Sequence, residues 1–320
     1  MGEVEYSRSN SRRMLVRDPL NGRLPMFSSA KTAIALMLYC AVEALGAAAL
    51  AVSPTLVEFE GASQPLGSLQ QRLARERGEA PKDIPGDRLR GFLAKPDGNG
   101  PFPAVVGLHG CNGLHEAAVQ SASEHLVSWG YVALLVDSYT TRSIDHTCTP
   151  EKYKAEQSNI FKRTFDAYGA LLFLARQPFV DARSVAVVGS SQGATVALAV
   201  AEERTFDLFV NPDNLTFRGA VALYPWCIAA GARPAIPALI LVGELDDWTP
   251  AKDCVKMVAR WGSAGPAVEL VTYPGAYHDF DHPDLQPGRK FFDHWLEYNA
   301  GAAEDANRRI REFLTHRLGR

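Results

Sequence analysis

Several signatures of specialised chemistry are missing from this 320-residue sequence. Each absence removes a class of function. Charge of neither sign dominates: 33 Lys and Arg against 36 Asp and Glu leave a net charge of −3, so no general attraction to nucleic acid is expected. There is no GxxxxGK[ST] phosphate loop and no Cys/His group at zinc spacing. The eight histidines are scattered rather than paired at i and i+4 beside a glutamate. No metal and no cofactor are therefore expected. No internal repeat is present, and no linker follows residue 88. Cysteine is scarce, five in all.

The remaining composition, 47% hydrophobic and 22% charged, is that of a globular protein. The N-terminal region reads as an address. Residues 1–25 are polar and carry Arg8, Arg12, Arg13, Arg17 and Arg23. Lys31 precedes an apolar run over 32–42, and Ala49-Leu50-Ala51 matches an A-x-A cleavage pattern. This is the layout of a signal peptide for export, with Met26 the more usual start. Glu43 is out of place in a translocating segment. A retained membrane anchor is the alternative. Cys40 is a poor lipidation site because bulky Tyr39 precedes it. Residues 1–51 are thus expected to be extension and signal, and 52–320 a single domain.

Four cysteines remain, and an oxidising compartment favours two bridges. Cys111–Cys148 and Cys227–Cys254 are the expected pairs, since each lies near neighbouring strands. Four reduced, buried thiols are the alternative.

Short apolar runs alternate with helical patterns through the rest of the chain. Strands are expected at 56–60, 88–93, 102–108, 131–136, 185–188, 220–223, 238–242 and 268–273. Helices are expected at 117–129, 152–176, 194–201 and 251–261, with a last one through Ala303, Ala306, Ile310 and Phe313. In 152–176 the spacing of Phe161, Phe165, Tyr168 and Leu172 sets one apolar face. Continuous apolar strands alternating with helices mean an α/β fold, a mostly parallel sheet with helices on both faces.

The chemistry concentrates just past strand ends. Gly189-Ser190-Ser191-Gln192-Gly193 is a G-x-S-x-G elbow between a strand and an Ala-rich helix. It puts Ser191 on a strained, exposed turn. A serine hydroxyl needs a base. His278, after the last strand, is the candidate, ahead of His282. A carboxylate must hold the imidazole tautomer, and Asp246 and Asp247 compete for that role, with Asp279 nearby. Residues 109–113 (His-Gly-Cys-Asn-Gly) follow an early strand, where oxyanion donors are needed. The N–H groups of Cys111 and Gln192 are expected to supply them. Cys111 is not itself in an elbow, because His109 stands where glycine is required. Tyr139, Tyr224, Trp226, Trp248 and Tyr277 fall near strand ends and are candidate pocket walls. Arg142 is either a carboxylate handle or a partner of Asp137 or Asp145. The other histidines (115, 125, 146, 294, 316) read as surface or packing residues.

On these motifs, with Asp137-Ser138-Tyr139 and Gly243-Glu244-Leu245-Asp246 followed by Pro250, the chain resembles the dienelactone hydrolase family of α/β-hydrolases from about Leu89 onward. The resemblance implies the α/β-hydrolase fold, and its G-x-x-D-x-x-x-P spacing implicates Asp246 rather than Asp247. Two departures stand out. The dienelactone hydrolases carry Cys at the elbow, where this chain has Ser191. They also hold a substrate carboxylate with arginines, and 279–282 offers none. Exported, serine-bearing relatives are the closer likeness. The expected function is cleavage of a small carboxylic ester or lactone through an acyl-enzyme. Acyl transfer or thioester cleavage by the same residues, and a non-catalytic exported binding protein, are the alternatives. Nothing in the sequence sets the oligomeric state.

Overall fold

The computed structural model describes residues 52–155 and 159–319. The signal or anchor expected over 1–51 lies outside the described residues. Among the described residues no helix is long and apolar enough to cross a membrane.

Eight of the described strands form one sheet: β1 (Thr55–Glu60), β2 (Arg88–Ala94), β3 (Phe102–Leu108), β4 (Val132–Asp137), β5 (Val180–Ser190), β6 (Ala220–Leu223), β7 (Ala238–Gly243) and β8 (Val268–Tyr273). Their order is β1-β2-β4-β3-β5-β6-β7-β8. β1 and β2 pair antiparallel, as do β2 and β4; every later pairing is parallel. The sequence dictates which strands are central. Every residue of β4 (VALLVD), β6 (AVAL) and β7 (ALILVG) is buried, so both faces of these strands are covered. Edge strands β1 and β8 keep exposed positions. Each fully buried Val or Leu contributes about 1.5–3 kcal/mol, so a one-residue slip in a central strand is strongly disfavoured.

The helices are α1 (Ser68–Glu76), α2 (Glu116–Ser128), α3 (Pro150–Ala155), α4 (Asn159–Ala175), α5 (Gln192–Val200), α6 (Glu203–Phe206), α7 (Ala251–Trp261) and α8 (Ala300–Leu318). The fold is an α/β-hydrolase fold with a mostly parallel central sheet.

Three local details differ from expectation. The helix expected over 152–176 is described over Pro150–Ala155 and Asn159–Ala175. Its buried face includes Arg163, Ala167, Tyr168, Ala170, Leu171 and Leu174, with Phe165 and Leu172 packed against the core, but Phe161 is 49% exposed. The strand expected at 185–188 starts earlier, because Phe102 pairs with Val180 before a register shift. A hairpin of β9 (Arg289–Phe291) and β10 (His294–Leu296) was not expected at all. Its turn residues Phe292 and Asp293 both have positive φ, 46° and 67°, where Asn-Gly is the usual signal.

Two disulfides are present, Cys111–Cys148 and Cys227–Cys254, each with a Cα–Cα distance of 5.0 Å. The first ties the loop after β3 to the segment before α3. The second ties the loop after β6 to α7.

Candidate active site

Ser191, Asp246, His278, Cys111 and Tyr139 all follow the C-terminal ends of strands, the edge where parallel sheets place ligands. The topology alone thus gathers residues that are far apart in the chain.

Ser191 joins β5 to α5 with φ 51° and ψ −118°, a conformation that costs an L residue on the order of 1–3 kcal/mol. Two glycines make the turn possible. A Cβ at Gly189 would sit 2.2 Å from the Gly193 carbonyl oxygen, and one at Gly193 would sit 2.2 Å from that of Leu108. The turn is held by Ser191 N–H donating to the Leu223 carbonyl at 2.9 Å.

His278 Nε2 lies 3.0 Å from Ser191 Oγ, and its Nδ1 lies 2.7 Å from Asp246 Oδ2. The ring is 1% exposed and Asp246 4%. Asp246 Oδ1 accepts the N–H groups of Trp248 and Thr249 at 2.9 and 2.7 Å, which fixes the carboxylate against rotation. Thr249 Oγ1 stands 2.9 Å from Asp246 Oδ2, 3.0 Å from the Tyr224 carbonyl and 3.1 Å from His278 Nδ1. Asp247, the competing carboxylate, is an exposed side chain on His294 at 3.2 Å.

Burial alone would lower the His278 pKa, but the carboxylates of Asp246, Asp279 and Asp281 outweigh it and raise it from 6.5 to about 9. Burial alone would raise the Asp246 carboxyl. His278 and the Thr249 donors hold it below its usual 3.8.

The loop after β3 passes beside the serine: a Cβ at Gly110 would approach Ser191 Cβ to 3.3 Å. Among the described residues, no acceptor is paired with the backbone N–H of Cys111 or of Gln192. The Gln192 side chain turns away, into a buried network. Its Oε1 accepts from Tyr139 Oη at 2.6 Å and Arg163 Nη1 at 3.0 Å, and its Nε2 donates to Thr147 Oγ1 at 3.0 Å.

The expected pocket walls separate. Trp248 is half-buried, its ring centroid 5.1 Å from that of His278 and stacked on His294 at 4.6 Å. Tyr224 packs on His278 at 4.7 Å, but its hydroxyl donates to Asp281. Tyr139 is 2% exposed with its hydroxyl turned to Gln192, so it presents no polar tip. Trp226 packs edge-on to Tyr153, and Tyr277 faces Trp295. Arg142 pairs with neither Asp137 nor Asp145. Its guanidinium grips Asp166 through two bonds of 2.7 Å and Asp87 at 2.8 Å. Asp137 accepts from the Tyr139 and Thr140 N–H groups, and Asp145 from Lys152. Arg142 borders a depression that also includes Asp87, Arg90 and Thr140 and is lined by none of Ser191, His278 and Trp248.

Sequence reading missed several participants. Thr249 was legible only as a loop residue. The β9–β10 hairpin brings Phe292 within 5.2 Å of the His146 ring and 6.3 Å of Trp248. Arg163 carried a visible signal: a cation four residues before Ala167 on the face that α4 buries.

Comparison with known proteins places the chain. Residues 89–318 match the model of the "Dienelactone hydrolase family". The "Putative carboxymethylenebutenolidase" of Methylorubrum extorquens is 23% identical over 243 residues, covering 70% of this chain and 75% of that protein. Acyl-coenzyme A amino acid N-acyltransferase 1 of Mus musculus is 29% identical over 114 residues, 36% of this chain. That match spans only 24% of the transferase. The dienelactone hydrolase of Anabaena variabilis superposes with a TM-score of 0.52 at 20% identity, over 83% of this chain and 99% of that one, a likeness of fold. With the family model covering well over half its length, the chain belongs to the dienelactone hydrolase family.

Proposed function

We propose that this protein hydrolyses small carboxylic esters or lactones through an acyl-enzyme on Ser191. The observation that carries this reading is the continuous line Ser191 Oγ, His278, Asp246, at 3.0 and 2.7 Å. In acylation the Ser191 hydroxyl proton passes to His278 Nε2 as Oγ bonds to the ester carbonyl carbon. Charge then develops on the carbonyl oxygen. The N–H groups of Cys111 and Gln192, unpaired among the described residues, are the donors for it. The imidazolium is stabilised by Asp246 and returns its proton to the departing alcohol oxygen as the C–O bond breaks. Water, deprotonated by the same imidazole, then releases the carboxylic acid and restores the serine.

Trp248 packs on His278, His294 stacks on Trp248, and Phe292 lies between Trp248 and His146; a run of rings beside the imidazole favours apolar or aromatic acyl groups. Arg142 is committed to Asp166 and Asp87, so it is not offered as a carboxylate handle. This argues for uncharged esters. The two disulfides fit an oxidising compartment, and export is the reading we favour.

Acyl transfer is the second reading, supported by the partial match to the mouse transferase. Both readings predict that Ser191→Ala abolishes turnover of chromogenic short-chain esters by several orders of magnitude. An added amine acceptor separates them. Faster release of the alcohol together with amide product favours transfer, and free acid alone favours hydrolysis. Wild-type turnover in Ser191→Ala removes both.

A further inference from the structure

We infer that Arg163 is a positioning residue for the oxyanion donors, acting through His109 and Gln192. This rests on the reading that Cys111 and Gln192 supply those donors to an ester held at Ser191.

Arg163 is an unusual residue in this fold. It lies on α4 with no solvent exposure. A buried guanidinium is ordinarily met by a carboxylate, because desolvating an unpaired charge costs several kcal/mol. The carboxylate within reach along its own helix, Asp166, is taken up by two bonds from Arg142. Arg163 instead donates from Nη2 to the His109 carbonyl at 2.6 Å and from Nη1 to Gln192 Oε1 at 3.0 Å, and it packs on the Tyr139 ring at 5.4 Å. Its Nε meets no acceptor among the described residues. A side chain held at that cost needs a reason. Its two bonds go to the two segments that bear the unpaired donors.

His109 relays the effect to the first donor. Its Nδ1 lies 2.7 Å from the Gly110 carbonyl, and its Nε2 accepts the Ser138 N–H at 3.2 Å. These partners fix the neutral tautomer with the proton on Nδ1. The Gly110 carbonyl belongs to the same peptide unit as the Cys111 N–H. Donation to that carbonyl orients the peptide plane and makes its N–H a stronger donor. Burial, and then the nearby Arg163 charge, lower the His109 pKa to about 3, so the ring stays neutral at ordinary pH. On the other side, the bond to Gln192 fixes the first residue of α5, whose N–H is the second donor. Thus one guanidinium bonds to both donor-bearing segments and sets a positive charge behind them, with no carboxylate hydrogen-bonded to it among the described residues. In a low-dielectric interior such a charge favours a developing anion.

The test compares wild type with Arg163→Met and Arg163→Lys. The readouts are ester turnover, and affinity for a trifluoromethyl ketone against the corresponding alcohol. The ketone forms a tetrahedral oxyanion on a serine; the alcohol cannot. For Arg163→Met, kcat is expected to fall about 10- to 100-fold, less than or comparable to removal of a whole oxyanion donor. KM is expected to stay within about twofold, since donors used only in the transition state leave ground-state binding alone. Ketone affinity falls with kcat, alcohol affinity does not, and Arg163→Lys recovers part of the loss. A folded Arg163→Met with wild-type kcat, or with equal losses for ketone and alcohol, overturns the inference. Should Arg163→Met not fold, Gln192→Met reads the same link while keeping the backbone donor. It is expected to lose kcat several-fold at unchanged KM, and wild-type kcat there overturns the inference equally. Ser191→Ala in the same series keeps the two levels apart. If it retains turnover, the nucleophile reading fails; if it is inactive while Arg163→Met is normal, only the role of Arg163 fails.

Discussion

The Thr249 hydroxyl stands between the Asp246 carboxylate and the His278 ring, 2.9 Å from Oδ2 and 3.1 Å from Nδ1. This contact, with the Trp248 and Thr249 N–H groups on Oδ1, leaves the carboxylate a single orientation, and that orientation faces the imidazole.

In the proposed mechanism this makes Asp246 the supporting carboxylate. Asp246→Asn is expected to lower kcat by about 10⁴, as when a triad carboxylate is replaced and the imidazole adopts the wrong tautomer. Asp247→Asn, on an exposed side chain, is expected to leave kcat within a few-fold. Steady-state ester hydrolysis by the two variants checks this, and the reverse pattern would transfer the role to Asp247.

The pH dependence has opposite signs for activity and stability. The proposed mechanism needs neutral His278, so kcat/KM is expected to rise with pH beyond 6.5 towards about 9. The same raised pKa means that the stability His278 contributes is complete below pH 6.5 and is lost as pH climbs through about 9. His109 has the opposite sign. Its folded pKa is about 3, so its contribution is present above pH 6.5 and is lost as pH falls from there towards 3. Asp246, held below 3.8, adds a loss at the acid extreme. Thermal midpoints are therefore expected to peak near pH 6.5–7 while activity is still climbing. A rate plateau already complete at pH 6 would contradict the His278 part.

Most of this was legible in the sequence because its strongest signals are physical. Short, fully apolar runs such as those at 132–136 and 238–242, alternating with helical patterns, read as buried strands, and an elbow with two close-contact glycines between strand and helix has few other uses. Chain order and the rule that parallel sheets place sites at strand ends nominated Ser191, His278 and the pair Asp246 and Asp247, and the family resemblance chose Asp246. What was not legible depended on partners far away in sequence. Arg142 reaches Asp87 and Asp166, 55 and 24 residues off, which no local pattern announces. The face of α4 was read from its aromatic residues. Tyr168 is buried and Phe165 and Leu172 pack against the core as read, but Phe161 is exposed and the buried face also contains Arg163, which hydrophobicity does not signal. The β9–β10 hairpin was hidden because Phe292 and Asp293 adopt positive φ without glycine.

That hairpin gives a specificity prediction. Trp248 packs on His278, and Phe292 lies beside both Trp248 and His146. Phe292→Ala and Trp248→Ala are each expected to raise KM for aryl esters several-fold more than for acetyl esters, the loss of one aromatic contact being worth about 0.5–1.5 kcal/mol. Equal effects on both substrate sets would show that the rings do not contact the acyl or alkoxy group.

The Cys111–Cys148 bridge, with a sequence separation of 37, ties down the loop after β3. The paired replacement Cys111→Ala/Cys148→Ala is expected to lower unfolding free energy by roughly 3–4 kcal/mol on the loop-entropy scale. Chemical denaturation under non-reducing conditions measures it. An unchanged midpoint would mean that the bonds from Thr147 to Cys111 and from Arg163 to His109 already hold the loop.

The central claim, that Ser191 is the nucleophile, is tested most directly by labelling the folded protein with a fluorophosphonate and mapping the modified peptide. The account predicts one adduct, on the serine at 191, absent in Ser191→Ala and suppressed in His278→Ala. A label on any other residue, or none on a protein that still hydrolyses esters, would contradict it.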